Sequence, residues 1–77
     1  MPTVLRQEGF SIRIYTADHE PAHVHVRKGE SEAKVSLLDA TLIEEHRTSP
    51  RDMRRILEIV EANQRVLLEA WVRIHGG

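Results

Sequence analysis

The chain has 77 residues, with 11 Lys/Arg against 12 Asp/Glu, five histidines and no cysteine. That length bounds a single small domain, 1–77, near the lower limit for burying a self-sufficient core, and the missing cysteines exclude disulfides and thiolate–zinc staples. A formal net charge of −1 excludes a uniformly basic nucleic-acid binder, so any such activity needs cations gathered on one surface.

The first half reads as strands, all within 3–46. Val4 to Arg6 is a short extended segment. Phe10 to Tyr15 alternates after Gly9, with Phe10, Ile12 and Ile14 on one side. Thr16 to Pro21 is a polar connection. His23-Val24-His25-Val26-Arg27 alternates again, and Lys28-Gly29-Glu30-Ser31 reads as a tight hairpin turn into Ala33 to Leu37. With Gly29-Glu30 as a two-residue loop, His25 pairs with Lys34, Val24 with Val35 and His23 with Ser36, so apolar and polar pairs fall on opposite faces. Thr41 to His46 fits a further strand or a helical turn equally.

Ser49-Pro50-Arg51-Asp52 then opens a helix of about 49–75, with a capping serine and proline at the first helical position. Met53, Ile56, Leu57, Val60, Leu67, Trp71 and Ile74 recur at helical spacing, interrupted at Asn63-Gln64. The fold expected is α+β: a small antiparallel sheet of about four strands, covered on one face by a long C-terminal helix. Roughly 27 helical residues span about 40 Å, against about 20 Å for a six-residue strand. Leu67, Leu68, Trp71 and Ile74 are therefore expected to overhang the sheet and meet a partner protein or a second copy (a homodimer), unless residues 40–48 fold beneath them.

Three of the five histidines fall within the seven residues 19–25. The open sheet face expected from the alternation carries Arg13, Tyr15, His23, His25, Arg27 and Lys34, with Glu32 its nearby acid. Such a face suits an anionic ligand, RNA or DNA, with the cations neutralising phosphate and the rings stacking on bases. A second reading makes His23 and His25 the acid–base pair of a metal-independent ribonuclease, with the same cations holding the phosphate. A third makes His23 and His25 metal ligands, joined by His19, Glu20 or His46. Arg27 and Lys34 beside the pair disfavour a cation, so no metal or other cofactor is expected. His46 and His75 read as solvated residues at element ends. No apolar run is long enough for a bilayer and the opening segment shows no targeting stretch, so a cytoplasmic chain without membrane contact is expected.

Met1 to Arg6, the His-Glu-Pro-Ala-His-Val-His-Val-Arg run at 19–27, Gly29, Glu32-Ala33-Lys34 and the segment from Ser49-Pro50-Arg51 to Glu69-Ala70-Trp71 resemble a small bacterial family, domain of unknown function 4160. The resemblance spans nearly the whole chain. It departs at Arg47, where a glycine-like loop residue is expected. Members of that family are often encoded beside another small protein. The resemblance therefore implies one component of a toxin–antitoxin-like pair, with a partner from the neighbouring gene and no established catalytic residues to carry over.

Overall fold

The computed structural model describes residues 3–76; Met1, Pro2 and Gly77, which figured in the resemblance and the helix end, lie outside them. Five strands come first: β1 (Thr3–Gln7), β2 (Phe10–Arg13), β3 (His23–Lys28), β4 (Ser31–Ser36) and β5 (Leu42–His46). They pair antiparallel in chain order as a meander. The ambiguous segment at 41–46 is thus the fifth strand and lies at the sheet edge. Helices α1 (Pro50–Ala62) and α2 (Gln64–Ile74) complete an α+β fold.

Local chemistry explains the turns. Glu8 and Gly9 join β1 to β2 with φ of 54° and 85°, the doubly left-handed pair of a two-residue hairpin. Gly29 (φ 59°) opens the turn after β3, and the β3–β4 register is the expected one at every pair from His23↔Ser36 to Lys28↔Ser31. Arg47 takes a φ of 56°, the conformation that favours glycine. Its carbonyl accepts from the Ser31 hydroxyl (2.7 Å) and its guanidinium donates to Glu30 (2.9 Å), contacts that hold it there.

Phe10, Ile12, Ile14, Val24, Val26, Val35 and Leu37 face inward as expected. They share one buried cluster with Ile56, Ile59 and Val60 of α1 and Leu67, Ala70 and Trp71 of α2. Ser49 caps α1 by accepting the Asp52 amide, with Pro50 in the first turn.

The single long helix is corrected. It breaks at Asn63 (φ −113°, ψ 16°), whose side-chain amide donates to the Ile59 carbonyl at 2.8 Å. Gln64 donates to the Leu37 carbonyl at 2.6 Å and to that of Leu38 at 3.1 Å. These two polar residues, which interrupted the apolar stripe, mark the break and tie it to the carbonyls that follow β4. The longest molecular dimension is 34 Å. Leu67 and Trp71 are 0% and 4% exposed, and Leu68 and Ile74 pack partly buried against the same core. The expected partner interface is thus interior or half-covered, and of residues 40–48 Ala40 packs against the same core.

Candidate functional site

The alternation of β3 places His23, His25 and Arg27 on the face away from the core. Two cross-strand rows run over that face. One reads Arg13, His25, Lys34, Glu44; the other reads Arg6, Ser11, Arg27, Glu32, His46. Tyr15, just beyond β2, meets His25 edge-on with ring centroids 4.7 Å apart, and His25 meets His23 at 5.1 Å. Arg13, Tyr15, His23, His25 and Lys34 are therefore neighbours. Arg27 lies one row away and is exposed.

The residue that organises the centre is one that sequence reasoning missed. After β2 the chain turns tightly: the Asp18 amide donates to the Tyr15 carbonyl at 3.1 Å, and the Tyr15 amide donates to Asp18 Oδ2 at 3.3 Å. The turn folds the carboxylate over the strand, with Oδ2 3.1 Å from His25 Nε2 and 3.4 Å from His23 Nε2. All three side chains are largely withdrawn from water, 17%, 21% and 10% exposed for Asp18, His25 and His23. Asp18 sat in a stretch read as a connection. The available signal was an Asp in a turn, a residue type that bonds local backbone amides, just ahead of the histidine pair.

On its other edge, His23 Nδ1 lies 2.9 Å from the Pro21 carbonyl. A carbonyl only accepts, so Nδ1 carries a proton and Nε2 is the ring nitrogen turned toward Asp18.

The remaining expected residues distribute unevenly. His19 is exposed and outside the cluster, Glu20 accepts from Trp71 Nε1 at 3.3 Å, and His46 stands at the far end of β5. Asp18, not one of these three, is the group that joins the histidine pair. Trp71 forms a wall, 5.4 Å from the His23 ring and stacked on His75 at 3.9 Å. His75 is consequently half-buried rather than solvated, its Nδ1 directed to the Trp71 carbonyl at 2.9 Å.

The charge pattern is also corrected. β5 places Glu44 opposite Lys34, with Nζ 3.4 Å from its carboxylate. A groove of about 390 Å³ on that side is lined by His25, Lys34 and His46 together with Glu32, Glu44 and Glu45. The face is thus divided, acidic toward β5 and cationic over β1–β3, where Arg6, Arg13 and Arg27 stand. Among the described residues none of those three arginines forms an ion pair. Arg13 Nε is buried without a hydrogen-bond partner.

A family model described as domain of unknown function (DUF4160) matches residues 9–72, which covers Arg13, Asp18, His23, His25, Arg27 and Lys34 but not Arg6, and the chain belongs to that family. No curated protein and no solved structure matches it.

Proposed function

We propose that this member of the DUF4160 family binds a phosphate-bearing ligand, single-stranded nucleic acid by class, on the β1–β3 half of its open sheet face. It does so as one component of a two-protein, toxin–antitoxin-like module. The observation that carries the binding proposal is the set of Arg6, Arg13 and Arg27 on one half of the face, none of them in an ion pair among the described residues. Guanidinium groups without an acidic partner are free to make charge-assisted hydrogen bonds to phosphate oxygens. Arg6 and Arg27 extend the positive field on the same half, and Tyr15 and His25 offer ring faces beside it. The two-protein role is supported by the family resemblance alone.

Fluorescence anisotropy of labelled single-stranded RNA and DNA tests the binding. Affinity is expected to fall with salt, and Arg13→Ala and Arg27→Ala each to weaken it and flatten the salt dependence. A chain that binds neither oligonucleotide at low salt sinks the proposal. For the two-protein role, expression alone and beside the neighbouring gene is informative. Absence of growth arrest fits the binding component, whereas arrest relieved by the neighbour fits an enzyme.

One contact favours that enzymatic reading. The Asp18–His25 hydrogen bond is the arrangement in which a carboxylate orients a histidine for proton transfer. A histidine-dependent ribonuclease would lose RNA cleavage on His25→Ala while staying folded. Cleavage that persists in that variant rules it out.

A further inference from the structure

We infer that Asp18, His23 and His25 form a binding site for one divalent transition-metal ion of the zinc class. The inference stands apart from the anion-binding proposal: the two share only His25, there by its ring face and here by a ring nitrogen.

The first ground is the donor triangle. One ligand atom from each residue lies within 4.8 Å of the others, with the two carboxylate–imidazole edges at 3.4 Å and 3.1 Å. Four-coordinate zinc with bonds of about 2.0–2.1 Å separates its ligands by roughly 3.4 Å. Both edges already match that spacing, and only the histidine–histidine edge has to close, by rotation of two side chains on one strand.

The second ground is the orientation of His23. The Pro21 carbonyl takes the Nδ1 proton, which leaves Nε2 as the ring nitrogen that faces the Asp18 carboxylate, at 3.4 Å. A backbone carbonyl on the far ring nitrogen is how metal-binding histidines are held. Burial sharpens the point, because His23 is 8% exposed and packs against Trp71.

The third ground weakens the objection raised by charge. Lys34 is drawn toward Glu44 and Arg27 lies exposed in the next row, so Arg13, across from His25, is the neighbouring cation that remains, and Asp18 sets a negative charge against it at the centre. Two imidazoles and one carboxylate suit zinc, iron or cobalt, and suit magnesium or calcium poorly, since those prefer oxygen alone. Three protein ligands leave at least one position open to water or an exogenous group.

The test is titration of the chelator-treated full-length chain with Zn²⁺ against a chromophoric chelator, with no nucleic acid present. The expected stoichiometry is one ion per chain, with Mg²⁺ not competing. Asp18→Asn and His25→Gln are each expected to weaken Zn²⁺ by more than the roughly 10–100-fold that loss of a mere outer-sphere partner produces. His19→Ala should leave it unchanged. Co²⁺ in place of Zn²⁺ should give visible absorption bands that both site variants lose. His23 is buried, so His23→Gln counts only if its circular dichroism matches wild type; the other two variants decide the matter without it. Absence of stoichiometric binding overturns the inference, as does binding that survives both site variants or that falls with His19→Ala. Because the assay contains no oligonucleotide, failure of the anion-binding proposal leaves its outcome intact.

Discussion

Asp18 Oδ2 lies 3.1 Å from Nε2 of His25, seven residues further along the chain. The contact closes the loop between β2 and β3 onto the sheet face. The same oxygen accepts the Tyr15 amide and faces His23. One carboxylate thus sets the conformation of the loop and the chemistry of the centre.

Removing it has a structural cost in the metal-free protein. Asp18→Ala leaves the Tyr15 amide without its acceptor and His25 without its partner, and is expected to destabilise the fold by about 1–3 kcal/mol. Urea unfolding measures this. A midpoint equal to wild type would mean the loop is not held by this side chain.

The division of the sheet face predicts opposite effects from neighbouring charges. Lys34→Ala should weaken oligonucleotide binding less than Arg13→Ala, because Lys34 is already paired with Glu44. Glu44→Gln should strengthen binding by removing a nearby negative charge and releasing Lys34. Anisotropy titrations at one fixed salt concentration compare the three. A Glu44→Gln variant that binds more weakly would contradict the charge map.

The second helix supplies core rather than interface. Leu67→Ala is expected to cost about 2–5 kcal/mol and Trp71→Ala about 3–5 kcal/mol, the range for emptying buried sites. Val72, 53% exposed on the same helix, should change stability by less than about 0.5 kcal/mol when replaced by alanine. Thermal or chemical unfolding reads all three. Similar small effects at all three positions would return Leu67 and Trp71 to the surface.

The hairpin between β1 and β2 is tied to α1 by a two-pronged contact of Arg55 with the Glu8 carboxylate. Hydrogen bonding to that guanidinium holds the Glu8 carboxyl below its ordinary value. A lowered folded-state pKa means the contact stabilises above the unfolded carboxyl value, about 4.3, and the contribution is lost as pH falls through the folded value. Wild type and Glu8→Gln should therefore differ in stability at neutral pH and converge in acid. A difference that widens on acidification would reverse the sign and refute the assignment.

Much of the arrangement was legible in the chain. Alternation in β3 and β4, with a glycine turn between them, admits only one register that keeps valines together, and that register places Lys34 opposite His25; Arg13 on the other side of His25 comes from the β2–β3 pairing. The serine–proline start of α1 was equally plain, since both residues act locally. The polar pair Asn63-Gln64 was visible as an interruption but not as a helix break. Its effect depends on Gln64 reaching carbonyls 26 and 27 residues away.

Local pattern by itself determined the first four strands, the hairpin register, the helix start and the two histidines on the outer face, because period and turn chemistry act over a few residues. Tertiary structure alone decided what surrounds those histidines. The loop at 16–21 has no period from which the direction of Asp18 can be read, and Glu44 matters only because β5 pairs with β4. Whether a longer helix runs on or breaks likewise depends on distant acceptors. The sequence therefore offered two imidazoles among cations, and only the fold brought a carboxylate between them, for it alone joins a turn, a strand and a sheet edge in one place.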